Sequence, residues 1–368
     1  MSGNSGMGGV ERVTTQLANT LSSKEYEVSL IDFSGVNTYF YSPSATIELP
    51  KCIRQRNLKR KLLNKLNGKF KNYNLSNYNL YKEQTDDLIR YLKEEPKDIL
   101  ILSEGILTSL IPVIKRKVPN IKIIAWQHNE YEIYIGNYYK NFKDEYIRGL
   151  QEADRVICLT KNDLIKFKVL NEKCEYIYNP LTLDVTKTSE LSFNNILFVG
   201  RFKIKQKGLD YLIDISEVIP SDWKMLVAGD GPDKKEFMQL IKQKGLSDKI
   251  LLEGTLKPNE LENFYNQGSI FISTSRWEGF GLVITEAMAS GLPVISFENN
   301  GPNEILGDSK YGILIEKGNI GKFKEELTKM INDRSRLILF SKKSLERAEI
   351  FRPEFVYEKW VEQFRLLN

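Results

Sequence analysis

The stretch Ser273-STSRWEGFGLVITEAMASGLPVISF-Phe297 decides the fold. Upstream of it SIFISTS is short, apolar and β-branched, and PVISF at its end reads the same way, so the middle crosses between two neighbouring parallel strands. The crossover helix is predicted over Leu282–Ser290, with Gly291 placed for a left-handed C-terminal turn and Pro293 forbidding further helix. Such a helix begins at Gly279-Phe280-Gly281-Leu282 and points unpaired amides and the positive end of its dipole at the mouth of the sheet. Phosphate binds well at such a place. Glu278 precedes the loop and Glu286 follows one turn into the helix, so two carboxylates able to accept hydrogen bonds from sugar hydroxyls flank the expected phosphate.

The segment WEGFGLVITEAMASGLPVI resembles the paired-glutamate signature of the retaining glycosyltransferases of the GT-B fold, family four (glycosyl transferases group 1), and the resemblance extends over nearly the full chain. It implies that Glu278 contacts the transferred sugar and that Glu286 contacts the ribose.

Length and composition agree. A chain of 368 residues usually makes two domains, and 41% hydrophobic content argues against disorder. Cys52, Cys158 and Cys174 are scattered without metal-ligand spacing, as expected of reduced thiols in the cytoplasm. Ser103 and Glu104 break the longest apolar run, Ile99–Ile114, so no bilayer span is expected. The N-terminus lacks the apolar core of a signal peptide.

GMGGVERV, Gly6–Val13, opens a helix whose Val10, Val13, Leu17 and Leu21 share a face, and a strand, EVSLIDF, is expected after it. The resemblance implies that Gly8 and Gly9 approach the donor phosphate or the acceptor. Family members carry an apolar strand before this loop; here it is missing, and the natural start is expected upstream of Met1, leaving exposed strand edges otherwise.

From Lys51 to Lys71, KCIRQRNLKRKLLNKLNGKFK carries Lys51, Arg54, Arg56, Lys59, Arg60, Lys61, Lys65, Lys69 and Lys71 with no acid among them. A basic amphipathic stretch can lie on anionic lipid; a solvated helix or loop is the alternative. No base-reading motif points to nucleic acid.

Alternating helices and apolar strands from Thr85 to Cys158 describe a parallel sheet wrapped on both faces, with ligands at the carboxyl ends of its strands. His128, the one histidine of the chain, ends the strand IKIIAWQ. A lone histidine is more often a packing residue; the resemblance places His128, with Asn129 beside it, near the transferred sugar.

The domain junction is read near 179–190, where periodicity is lost and Asn-Pro breaks the chain. NNILFVGRF then starts a second series. Arg201 at the strand end and Lys207 before the next helix can converge on an anion, arginine as a fork and lysine as a point charge. The resemblance gives them the diphosphate, while Lys203 and Lys205 read as surface cations. In WKMLVAGDGP a third fingerprint glycine is replaced by Lys234, so the dinucleotide reading fails. By resemblance Gly254–Leu256 lies along the base, Glu304 is structural, and the terminal helix, with Phe355, Trp360 and Phe364 on one side, packs back on the first domain.

The expected architecture is α/β, two Rossmann-like doubly wound domains facing across a cleft: 1–182 on the acceptor side, 183–352 for the nucleotide sugar, and 353–368 as the returning helix. The expected activity is metal-independent, cofactor-free transfer of a hexose from a nucleoside diphosphate sugar, uridine before guanosine, to a glycan or lipid-linked glycan. Its place would be the cytoplasm, peripheral to the inner face of the membrane. Two alternatives stand beside it: a non-catalytic sugar-nucleotide-binding partner of another enzyme, and a nicotinamide-dependent oxidoreductase.

Overall fold

The computed structural model describes residues 8–24, 26–37, 39, 41–55 and 76–367. The chain forms two compact units, Met1–Pro180 with Pro353–Asn368, and Leu181–Arg352.

The first unit holds a four-stranded parallel sheet in the order β1 (Ile99–Ser103), β2 (Lys122–Trp126), β3 (Arg155–Cys158), β4 (Cys174–Tyr176). β1 and β2, ILILS and KIIAW, are rich in Ile and Leu, as strands covered on both faces are. Leu102, Ile123, Ile124, Ala125, Val156 and Ile157 are wholly buried, and the Lys82–Glu94 helix adds Leu88, Ile89 and Leu92 to this interior. Val13, Leu17 and Leu21 of the Gly9–Ser22 helix face inward as their spacing requires.

Three expectations fail in this unit. EVSLIDF is not a strand: Leu30 N–H donates to the Glu48 carbonyl at 2.9 Å and Glu48 N–H to the Val28 carbonyl at 3.0 Å, and the pairing goes no further than the Ser29–Glu48 bridge. Leu30, Ile31 and Phe33 are nonetheless buried, so the apolar pattern reflects burial and not a strand ladder. Phe355 does not share a face with Trp360 and Phe364; it is 58% exposed. The buried stripe is Val356, Trp360 and Phe364, spaced i, i+4, i+8, whereas a step of five residues swings a side chain well off that line. Arg54 is no free cation of a basic face. Its Nε and Nη2 hold both oxygens of the buried Asp87 at 2.8 and 2.7 Å. Most of the basic stretch, 56–71, lies outside the described residues.

Trp360 packs edge-on to Trp126 of β2, ring centroids 4.8 Å apart, and both are fully buried. This pair ties the terminal helix to the sheet. Trp360→Ala is expected to cost about 3–5 kcal/mol, read as a fall in the denaturant midpoint with an unchanged slope. A midpoint equal to wild type would show that the helix contributes nothing to this unit.

The second unit is a six-stranded parallel sheet ordered β10 (Ile313–Ile315), β9 (Val294–Phe297), β8 (Ile270–Ser273), β5 (Asn195–Val199), β6 (Lys224–Ala228), β7 (Ile250–Gly254). The βαβ crossover is as read: β8 pairs with β9 in parallel, Phe271 opposite Val294, with the Leu282–Ala289 helix between them. Gly281 opens that helix at φ 109 and Gly291 follows it at φ 77, both conformations that favour glycine. From β5 the chain builds outward first to β6 and β7, then returns to β8, β9 and β10 on the other side. The carboxyl ends of β5 and β8 therefore frame the switch point at which α/β sheets bind ligands. No helix among the described residues is long and apolar enough to cross a membrane.

Candidate active site

At the switch point the loop after β5 carries Gly200 and Arg201 and leads into the short Ile204–Lys207 helix, which ends on Lys207, and the loop after β8 carries Ser275, Arg276 and Glu278. Lys207 crosses Gly200 so closely that a Cβ there would lie 3.6 Å from Lys207 Cδ. Its Nζ donates to Glu278 Oε2 in a mostly buried ion pair. Ser275 Oγ donates to the same carboxylate oxygen at 3.3 Å. A Cβ on Gly281 would lie 3.6 Å from Glu278 Cγ, which sets this pair against the start of the Leu282–Ala289 helix. A cation, a carboxylate and a turn of amides thus meet within one loop pair. Arg201 is exposed at the end of β5, and among the described residues its guanidinium forms no ion pair. Such a side chain is available to an incoming anion.

Glu286 sits differently from Glu278. It is wholly buried; Oε1 accepts from Thr182 Oγ1 at 2.9 Å and Oε2 from the Tyr265 hydroxyl at 3.0 Å. Because Glu286 is wholly buried, a ribose hydroxyl reaches it only after local opening. Gly279 precedes the buried Phe280, and Leu282 begins the helix. Leu256 is half-buried two residues past β7. Glu304 belongs to the Asn300–Leu306 helix, where its carbonyl accepts from Arg347 Nη2 at 2.7 Å.

His128, Gly8 and Gly9 lie in the first unit. Gly8 and Gly9 start the first helix and are exposed; Thr14 of that helix donates to Ser103 Oγ at the end of β1 at 3.2 Å. The glycine turn is thereby tied to the carboxyl end of that sheet. His128, two residues beyond β2, packs on Trp126 with ring centroids 4.3 Å apart. Among the described residues neither ring nitrogen has a hydrogen-bond partner. Burial pushes its pKa down to about 3, so the imidazole is neutral at physiological pH. A folded-state pKa below the unfolded value means the unfolded chain takes up the proton first as pH falls. Stability is full above about 6.5 and declines toward 3, by up to about 1.4 kcal/mol per pH unit. His128→Asn is expected to remove this component of the acid slope, measured as the difference between the two proteins' unfolding free energies from pH 7 to 4. Parallel curves would show that the imidazole titrates equally in both states.

Sequence reasoning missed Thr182 and Tyr265, which hold Glu286, and Asp210, whose carboxylate takes the Arg276 fork. Burial would raise the Asp210 pKa, but the Arg276 hydrogen bonds and charge outweigh it and keep the carboxyl below its usual range. It also missed Glu104, which directly follows β1 with φ 89, a strained conformation for a non-glycine residue, and whose carboxyl burial pushes upward. A cavity of about 440 Å³ lined by Asn194, Trp223, Ser269 and Arg334 lies at the opposite, amino-terminal end of the second sheet from Lys207 and Glu278. Among the described residues no group of three His, Cys, Asp or Glu side chains could hold a metal ion.

The chain is similar to known proteins along its length. The profile of glycosyl transferases group 1 matches residues 186–347 and that of glycosyltransferase family 4 matches residues 7–185. An uncharacterized glycosyltransferase of Haemophilus influenzae is 29% identical over 96% of this chain and 95% of its own. The amylovoran biosynthesis glycosyltransferase AmsD of Erwinia amylovora is 26% identical over 97% and 96%. Among solved structures, Anabaena Alr3699/HepE in complex with UDP and glucose superposes with a TM-score of 0.78 at 16% identity, covering 99% of this chain and 98% of that one. Two parallel-sheet units, a paired-glutamate loop at the switch point and family profiles that tile both halves lead to one statement: the chain belongs to glycosyltransferase family 4, the glycosyl transferases group 1, and has the GT-B fold.

Proposed function

We propose that the chain transfers a hexose, with retained anomeric configuration, from a UDP-linked donor to a hydroxyl of a glycan or lipid-linked glycan in polysaccharide or glycoconjugate synthesis. The observation that carries this reading is the Lys207–Glu278 pair at the β5–β8 switch point, set beside a helix N-terminus and an uncommitted Arg201. In the proposed step the bond from the anomeric carbon to the phosphate oxygen breaks and a bond to the acceptor oxygen forms. The acceptor proton passes to the departing phosphate. Negative charge gathers on the diphosphate as it leaves, and Lys207, Arg201 and the first amides of the Leu282–Ala289 helix stabilise it. Glu278 faces the sugar, and Glu286 takes the ribose once Thr182 and Tyr265 yield. Support for the uridine donor comes from HepE, solved with UDP and glucose, and for the biosynthetic setting from AmsD, named for amylovoran biosynthesis. The basic residues beyond Arg54 would hold the enzyme at an anionic membrane surface.

A thermal-shift panel of UDP- and GDP-sugars tests the donor class. A ligand at a hundred times its dissociation constant stabilises by about 2.7 kcal/mol, and the donor that shifts melting should release its nucleotide when acceptor is present. If no nucleotide sugar shifts melting, or if a soaked donor binds away from Lys207 and Glu278, the reading fails; binding without any turnover favours a non-catalytic partner. Because protein cations are assigned the charge stabilisation, the transfer rate is expected to stay unchanged in EDTA. A rate restored only by added divalent ion would transfer that role to the metal.

A further inference from the structure

Arg276 stands two residues before Glu278, and its bonds run to another loop. Nη1 and Nη2 hold the two carboxylate oxygens of Asp210 at 2.8 and 2.5 Å. Nη1 also donates to the Ile204 carbonyl at 3.2 Å, and the Arg276 backbone N–H donates to the Gln206 carbonyl at 2.8 Å. The guanidinium lies over the Tyr211 ring, 3.8 Å from its centroid. Beside it, Thr274 Oγ1 donates to the Lys207 carbonyl at 2.8 Å. Residues 204–211 are therefore gripped at both ends and in the middle, and Lys207 stands at the centre of the grip with its Nζ on Glu278.

An isolated surface ion pair contributes little. This one is a planar fork on a carboxylate, extended by backbone bonds and a ring contact, and such a fork fixes geometry as well as charge. Thr274 and Glu278 fix the carbonyl and the ammonium of Lys207, and the Arg276 fork sets the backbone segment from which its four-carbon stem reaches out.

We propose that Arg276 is a positioning residue for diphosphate binding: its clamp on Asp210 and Tyr211 holds the 204–211 segment so that the Lys207 ammonium stays where the anion docks. The inference rests on the reading above that Lys207 meets the diphosphate.

A double-mutant cycle on UDP affinity, measured by calorimetry with GDP in parallel, tests it on the full chain. Arg276→Gln is expected to weaken UDP binding about tenfold, and Lys207→Ala at least as much. The double variant is expected to bind within about twofold of Lys207→Ala, because the clamp has nothing left to position. Arg276→Lys should resemble Arg276→Gln, since an ammonium cannot form the fork. A purely structural role would lower melting temperature and affinity in both backgrounds alike. Additive losses, or wild-type affinity in Arg276→Gln, overturn the clamp while leaving the proposed function standing. Wild-type affinity in Lys207→Ala overturns the assignment of Lys207 to the diphosphate, and the clamp with it. Should Arg276→Gln fail to fold, Asp210→Asn enters the same cycle with the same expectation.

Discussion

Arg201→Ala is expected to lower kcat by about 100- to 1000-fold, the usual loss when one preorganised donor to a developing oxyanion is removed. The melting temperature should hardly move. Arg201 is exposed at the end of β5 and its guanidinium makes no ion pair among the described residues, so its truncation frees no ion-pair partner. Surface changes of that kind usually stay within about 0.5 kcal/mol. Steady-state kinetics with the active donor, set beside a thermal melt, therefore separate chemistry from folding in a single variant. A rate equal to wild type would place the leaving diphosphate somewhere other than the β5–β8 switch point.

Gly301→Ala should instead damage fold and site together. A Cβ on Gly301 would lie 1.9 Å from the Phe280 carbonyl oxygen and 2.4 Å from its carbon, and both obstacles are backbone. No rotamer relieves such a clash, so the Gly279–Leu282 turn has to move. Overpacking at a rigid site costs up to about 3 kcal/mol, which in a unit of this size lowers Tm by roughly 6–12 °C. Because that turn supplies the helix N-terminus, nucleotide affinity should fall in parallel. Gly136→Ala is the control: nothing lies within 4 Å of its added Cβ, and its melt should match wild type. If Gly301→Ala melted and bound UDP normally, the turn would be far more pliable than the close packing implies.

What could be read from the sequence was what local chemistry dictates. Gly281, Gly291 and Pro293 fix the ends of one helix within a few residues of chain, and the apolar runs on either side leave little choice but two adjacent parallel strands. The family resemblance brought Lys207 and Glu278 forward as candidates, and the structure pairs them. Reading failed where an outcome depended on partners distant in sequence. EVSLIDF has the composition of a strand, but a ladder needs neighbours, and the segment finds one bridge. Arg54 looked like one of nine similar cations until Asp87, 33 residues on, claimed its fork. Arg276 with Asp210, and Glu286 with Thr182, are separated by 66 and 104 residues, and no periodicity announces such meetings. Phe355 was a matter of register: one residue decides which of Phe355 and Val356 turns inward.

The second unit is one unbroken segment, and its ends abut: Leu181 N–H donates to the Phe351 carbonyl at 2.6 Å. Chain entry and exit at one point make 181–352 a cassette, removable from the gene as a single fragment and expressible with its own free termini. A recombination event that exchanged this fragment between relatives would carry the whole Lys207–Glu278 loop pair with it, through two junctions that lie side by side.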